Sequence, residues 1–129
     1  MLTPPATKPI ASVAHVTEAW YVACTTGELK KRPLSRTILG IPMVLYRAQS
    51  GAVGALLDRC PHRNVPLSMG CVTGEHLQCP YHGWQFNGED GKCELIPAAG
   101  PDFPIPKKAR VDFYPVQEKY GWVWVFVGD

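Results

Sequence analysis

The stretch "CPHRNVPLSMGCVTGEHLQCPYHGW" spans residues 60–84 and holds three of the chain's five cysteines and three of its four histidines. Cys60 and His62 form a C-x-H pair, and Cys79 and His82 form a C-x-x-H pair after sixteen intervening residues. Each pair is short enough to reach a metal centre from one loop. The pattern therefore predicts a metal centre with Cys60, His62, Cys79 and His82 as its ligands.

Two kinds of metal centre accept two thiolates and two imidazoles. Structural zinc sites ordinarily take both cysteines from one short loop, as in C-x-x-C, and both histidines from another segment. Here each loop mixes one cysteine with one histidine. A Rieske-type [2Fe-2S] centre binds one iron through two cysteines and the other through two histidines, so each loop must reach both metals. The spacing therefore favours the iron–sulfur centre over zinc.

Composition and charge narrow the class of protein. The chain has 129 residues, of which 46% are apolar and 19% charged, as expected for one globular domain. Its net charge of +2 is spread along the sequence and predicts no nucleic-acid partner. We find no secretory signal and no membrane span, and hence expect a cytoplasmic protein with no membrane partner. An odd number of cysteines in a reducing compartment favours metal ligation over disulfides.

Short runs of β-branched and aromatic residues, divided by proline and glycine, predict an all-β domain. No segment keeps a helical period for three turns. We expect a polar loop at 28–36 and a hairpin turn in "NGEDGKC" at 87–93. The proline-rich N-terminus predicts an arm at 1–17 that precedes a domain at 18–129. The predicted strands lie at 19–24, 37–48, 52–58, 76–80, 84–87, 109–120 and 122–128.

The motif "CPHR", "PLS", "CPYHGW" and its flanks "AWYVAC", "PLSRTILGIPMVLYR" and "YGWVWVFVGD" resemble a known family. From about residue 18 onward the chain is similar to the N-terminal Rieske domain of vanillate O-demethylase and pheophorbide-type oxygenases. The resemblance implies the Rieske fold, an antiparallel β-sandwich base with a small cluster-binding subdomain at about 56–97. It also implies a [2Fe-2S] cluster with Cys60 and Cys79 on the inner iron and His62 and His82 on the outer iron.

The same resemblance implies a function in electron transfer. The cluster would pass single electrons from a reductase or ferredoxin to the mononuclear iron of an aromatic-ring-type oxygenase. That iron is held by two histidines and a carboxylate in a separate catalytic domain. The two remaining histidines, His15 and His76, stand sixty-one residues apart and cannot supply such a triad. We therefore expect that the chain as given carries electrons and does not itself hydroxylate a substrate.

Three interpretations remain open at this point. The chain is the isolated Rieske domain, or a fragment, of an oxygenase subunit that can form oligomers through its catalytic domain. Alternatively it is a stand-alone Rieske ferredoxin. A protein of another class, a zinc-stapled binding module without a redox role, is the third alternative. The strand "WVWVFV" is apolar on both faces and mildly favours the first, because one face must find cover outside the domain's own core.

The other cysteines and histidines in the chain have simpler interpretations than metal ligation. Cys71 is expected to be an ordinary small hydrophobic residue, and Cys24 and Cys93 fit strand or turn positions in the same way. His76 is expected to be a solvated turn residue.

The chain departs from the respiratory and photosynthetic Rieske proteins that the motif also resembles. Those proteins carry an additional cysteine at each ligand pair, where this chain has Val65 after the first pair and Tyr81 within the second. They also carry a serine and a tyrosine whose hydroxyls donate hydrogen bonds to the cluster, where this chain has Trp84 and Phe86. Without these donors the reduced cluster is less stabilised, which predicts a potential near the low end of the Rieske range.

Overall fold

The computed structural model describes residues 18–61, 64–100, 102 and 104–128. The predicted arm at 1–17 and the residues His62 and Arg63 lie outside the described residues. The described part of the chain contains ten strands, three short 3₁₀ turns and no α-helix. All strand pairs are antiparallel. The prediction of an all-β, antiparallel fold is confirmed.

The strands form three sheets. In chain order they are β1 (Ala19–Thr25), β2 (Leu34–Ile38), β3 (Ile41–Arg47), β4 (Val53–Leu57), β5 (Cys71–Thr73), β6 (His76–Gln78), β7 (Gln85–Asn87), β8 (Cys93–Leu95), β9 (Val116–Lys119) and β10 (Trp122–Val127). The first sheet has the order β1-β10-β9, the second β2-β3-β4 and the third β5-β6-β7-β8. The third sheet lies within the segment in which we predicted the cluster-binding subdomain; the subdomain boundaries themselves stay a prediction.

One predicted strand, at 37–48, is in fact divided by a tight turn. Leu39 and Gly40 have φ values of 53° and 78°. Ile38 pairs with Ile41 across this two-residue turn. Positive φ at both central residues gives the turn the twist that a hairpin requires. The segment therefore forms a hairpin, whose first strand begins at Leu34 inside the region predicted as a loop.

Two other regions differ from the sequence-based expectation. Only Val116–Lys119 of the predicted strand at 109–120 is a strand, while Arg110 and Phe113 form isolated bridges to Lys92 and Leu56. The short strands β5 and β8 were not predicted. The hairpin turn at 87–93 is present, and it is closed by a hydrogen bond of 2.8 Å from the Gly91 N–H to the Asn87 carbonyl.

Two hydrophobic cores lie on opposite faces of the second sheet. Met43 and Leu45 of β3 are buried in the first core, together with residues of β1 and β10. Val44 and Tyr46, which alternate with them, are buried in the second core with residues of the third sheet and of the predicted ligand loops. This alternation follows from the two-residue period of a strand. The base is thus a β-sandwich, and the third sheet with its loops covers the other side of β3.

The faces of β10 differ in burial. Its three valines lie in the first core and are almost fully buried. Trp122 is 43% exposed on the opposite face, and Trp20 of β1 is 39% exposed beside Phe126, with 5.4 Å between the two ring centroids. One face of the strand therefore enters the core, as predicted, and the other forms an exposed aromatic surface.

Candidate metal centre

The two predicted ligand loops have the same pattern of backbone hydrogen bonds around their cysteines. The Cys60 N–H donates to the Val65 carbonyl at 2.8 Å, and the Cys60 carbonyl accepts from the Asn64 N–H at 2.6 Å. In the other loop the Cys79 N–H donates to the Trp84 carbonyl at 2.8 Å. The Cys79 carbonyl accepts from the Gly83 N–H at 3.2 Å. Each cysteine thus begins a loop that closes back on the cysteine's own peptide groups.

The same position in each loop has a left-handed backbone. Asn64 has φ of 57° and Gly83 has φ of 73°, and each stands four residues after its cysteine. Glycine and asparagine are the residues that adopt this conformation at the lowest cost. The Arg59 guanidinium donates to the Asn64 side-chain oxygen at 3.2 Å, which adds a side-chain contact to the first loop. The described residues of the two loops therefore share these hydrogen bonds and this left-handed position, although the histidines stand at different offsets from their cysteines.

The two predicted thiol ligands lie inside the protein, and His82, a predicted histidine ligand, lies at its surface. Cys60 is 0% exposed and Cys79 is 1% exposed. Both belong to the second core, where Leu67 and Phe86 are also fully buried. His82 is exposed, and its ring lies 4.2 Å from the ring of Tyr81, measured between centroids. His62 lies outside the described residues.

This donor set fits the ligands that a Rieske-type cluster takes. The cluster needs two thiolates on one iron and two imidazoles on the other. The chain offers two buried thiols in one core and an exposed imidazole in one of the same two loops. Within the described ranges no three His, Cys, Asp or Glu side chains form a group able to hold a single metal ion.

A buried carboxylate anchors the first loop. Asp58 is 7% exposed and stands two residues before Cys60. Its two oxygens accept from the Ser68 N–H at 2.6 Å and from the Ser68 hydroxyl at 2.7 Å. The Asp58 N–H donates to the carbonyl of Pro42, in β3, at 2.9 Å. Sequence reasoning missed the contact between Asp58 and Ser68, although these two polar residues stand on either side of the first ligand pair.

A close approach of two backbones joins the 3₁₀ turn Leu67–Met69 to the strand that leads to Cys79. Gly70 ends this turn, and a side chain there would overlap the Gln78 carbonyl. Gln78 also accepts a hydrogen bond of 3.0 Å from the Gln85 amide across the β6–β7 pair. The absence of a Cβ at Gly70 therefore lets the segment after the first loop pack directly against the strand before the second.

The cysteines that we did not assign as ligands fall into two groups. Cys24 and Cys93 are buried in strands, and burial raises the pKa of both thiols. A raised pKa keeps a thiol protonated and inert. Cys71, which we expected to be an ordinary small hydrophobic residue, is exposed at the start of β5 and belongs to neither hydrophobic core.

His76 is not a solvated turn residue. It lies in β6, half-buried, and its Nε2 atom is 2.6 Å from a Glu94 carboxylate oxygen. Because Glu94 stands eighteen residues away in the sequence, no local sequence pattern predicts this pair. His76 is thereby tied to the far strand of the third sheet.

Comparison with known proteins identifies the family. The sequence profile described as the Rieske [2Fe-2S] domain matches residues 19–115. The chain belongs to this family. The cofactor of the Rieske domain is a Rieske-type [2Fe-2S] cluster, and the predicted fold, family and cofactor are confirmed.

Relatives of this Rieske domain are oxygenase components. The oxygenase component of dicamba O-demethylase from Stenotrophomonas maltophilia is 46% identical over 91% of this chain and 34% of the relative. The vanillate O-demethylase oxygenase subunit from a Pseudomonas strain is 44% identical over 86% of this chain and 30% of the relative. The crystal structure of dicamba monooxygenase with non-heme iron and dicamba matches with a TM-score of 0.79 and 46% identity, over 87% of this chain and 33% of that one. The chain thus spans about a third of the length of these relatives.

The residues that differ from the respiratory type surround the Rieske site. Phe86 is fully buried in β7, and Val65 and Trp84 pack against the second core. Tyr81 is exposed beside His82.

Among the described residues, no helix has both the length and the apolar character needed to cross a bilayer.

Proposed function

We propose that this Rieske domain transfers single electrons from a reductase or ferredoxin to the mononuclear iron of an aromatic-ring-type oxygenase. The observation that carries the proposal is the pair of buried thiols in two matching loops, one of which presents an exposed imidazole. The oxygenase relatives support it, and the solved structure of dicamba monooxygenase with non-heme iron supports an iron centre as the acceptor.

The proposed ligands of the cluster are Cys60, His62, Cys79 and His82. When bound, a [2Fe-2S] cluster accepts and gives up one electron at a time. The protein's own contribution is positional. The N–H groups of both cysteines donate within their loops, which fixes the backbone from which each thiol projects. Leu67 and Phe86 exclude water from the thiol side, and the exposed His82 lies where a partner can approach.

The proposal that the chain is one part of a longer oxygenase subunit rests on two observations. The oxygenase relatives are about three times as long as the matched region. The outer face of the first sheet carries exposed Trp20, Val22 and Trp122, which a neighbouring domain can cover. A stand-alone Rieske ferredoxin is the alternative, and it needs no such cover. A cytoplasmic location and assembly through a catalytic domain belong to the first proposal.

Iron analysis and visible spectroscopy of the freshly purified protein test the ligand assignment. We expect a brown protein with about two irons per chain. Replacement of Cys79 or His82 by alanine should abolish the cluster, because metal binding and folding of the loops are coupled. A colourless protein that contains zinc would overturn the proposed function.

The chain offers a matched control for this test. Cys93 is buried in the same core as Cys60 and Cys79, but it is not among the proposed ligands. Cys93→Ala and Cys71→Ala should both retain the full iron content. Loss of iron in either variant would show that the ligand set is wrong.

A further inference from the structure

Two neighbouring cavities, one of them beside the first ligand loop, carry several basic side chains. The first, of about 330 Å³, is lined by Arg59, Cys60 and Arg110 among others. The second, of about 350 Å³, is bordered by Lys92 and Lys107. Arg110 lines both cavities. We refer to Arg59, Lys92, Lys107 and Arg110, all of which are exposed, as the basic surface.

The two arginines of the basic surface differ from Arg36 and Arg47 in their hydrogen-bond partners. Arg36 and Arg47 form ion pairs with Glu28 and Glu118, at 3.2 and 2.7 Å. The ion pairs among the described residues include neither arginine of the basic surface. Arg59 donates to the Asn64 amide oxygen.

Arg110 likewise donates to an uncharged group, the Asp90 backbone carbonyl, at 3.1 Å. The linings of the two cavities contain the four cations of the basic surface and one carboxylate, Asp112. The Asp90 side chain accepts from the Lys92 N–H at 3.0 Å. The linings are therefore positive, although the whole chain carries a net charge of only +2.

We propose that the basic surface is the docking site for a protein electron donor whose own surface is rich in carboxylates. The inference rests on the proposed function, because it names the partner of that site. Complementary charge steers a partner to one side of a protein and raises the association rate by about ten- to a thousandfold. Docking here brings the donor against the loop of Cys60, which lines the same cavity as Arg59 and Arg110.

Charge reversal of two residues that lie outside the ligand loops in the sequence tests this inference. Lys107→Glu with Arg110→Glu changes the basic surface but leaves Arg59 and its contact with Asn64 in place. Lys30→Glu with Lys31→Glu is the matched control. It makes the same change in net charge, and these lysines line a different cavity that shares no residue with the basic surface.

The first measurement is binding of an oxidised, acidic plant-type ferredoxin to the iron-loaded protein by calorimetry at low ionic strength. We expect the Lys107/Arg110 variant to bind at least tenfold more weakly than the unmodified protein, with a flatter dependence on salt, and the Lys30/Lys31 variant to bind nearly as well. Equal weakening in both variants, an unchanged affinity in both, or no binding by the unmodified protein would overturn the inference.

The second measurement separates docking from electron transfer. The rates of reduction by the reduced ferredoxin and by photoreduced deazariboflavin, a small uncharged donor, are compared in stopped flow. The Lys107/Arg110 variant should lose at least tenfold in rate with ferredoxin and keep its rate with deazariboflavin. An equal loss with both donors would overturn the docking site. Unmodified protein that binds ferredoxin and accepts no electron from either donor would instead refute the proposed function.

Discussion

The buried contact between Asp58 and Ser68 makes a quantitative prediction about the first ligand loop. Ser68→Ala removes the hydroxyl that donates to Asp58 at 2.7 Å and leaves the N–H donor at 2.6 Å in place. A hydrogen bond to a charged group contributes about 1.5 to 3 kcal/mol. Since Asp58 is only 7% exposed, water replaces the lost donor poorly. We therefore expect the free energy of unfolding to fall by about 2 kcal/mol.

An exposed copy of this contact provides the control. The Ser50 N–H and hydroxyl donate to the two oxygens of Glu75, at 2.9 and 2.6 Å. This carboxylate is solvated, so Ser50→Ala should change stability little. The urea midpoint of each iron-loaded variant, followed by far-UV circular dichroism, measures the difference. A loss of about 2 kcal/mol lowers the midpoint by about 1 M. Equal midpoints for the Ser68 and Ser50 variants would refute the reasoning.

Three further predictions concern the potential, the pH dependence and the packing of the site. The midpoint potential is expected near the low end of the Rieske range, at about −150 mV. Phe86→Tyr should raise the potential by roughly 60 to 130 mV, because the new hydroxyl can donate a hydrogen bond to the cluster. A potential of the unmodified protein above about +100 mV in film voltammetry would contradict this. A hydrogen bond from Arg47 lowers the pKa of Glu118, so their ion pair contributes stability above the unfolded pKa of about 4.3 and loses it as the pH falls through the lowered value. Glu118→Gln should therefore lower the free energy of unfolding by less than about 1 kcal/mol at neutral pH and leave it unchanged at about pH 2. In urea titrations, a loss of stability that does not depend on pH would be inconsistent with the Arg47–Glu118 ion pair. Gly70→Ala should destabilise the protein by about 1 to 3 kcal/mol, because the added Cβ overlaps a backbone carbonyl. Gly27→Ala should leave the stability nearly unchanged, because a Cβ there meets no atom within 4 Å. Equal melting temperatures of the two variants would disprove the overlap.

Sequence patterns were sufficient for the fold class and for most of the strands. The two-residue repeat of a strand predicted that one face of β10 enters the core, but since both faces are apolar it did not predict that the valine face is the buried one. The division of the 37–48 segment was missed, since Leu39 adopts a left-handed backbone that leucine rarely takes. The strands β5 and β8 have only three residues each, which is too short for a pattern to develop.

Spacing was enough to predict the ligands, but not the contacts that support them. Two short Cys–His pairs in one stretch suffice to predict a metal centre with Cys60 and Cys79 among its ligands, and this assignment stays a prediction. The contact of Asp58 with Ser68 spans ten residues across the loop itself, and His76 meets Glu94 only because β6, β7 and β8 are neighbours. Such contacts depend on how the loop and the third sheet fold, so a linear reading leaves their partners undetermined.

The alternating burial of β3 has a consequence for how the molecule opens. Met43 and Leu45 lie in one core while Val44 and Tyr46 lie in the other, so β3 cannot be displaced without opening both cores at once. Tyr46 adds a hydrogen bond of 2.9 Å from its hydroxyl to the Glu75 carbonyl, next to the third sheet. The strand β3 should therefore take no part in local opening, and its amide protons should exchange with solvent only when the whole domain unfolds as one cooperative unit.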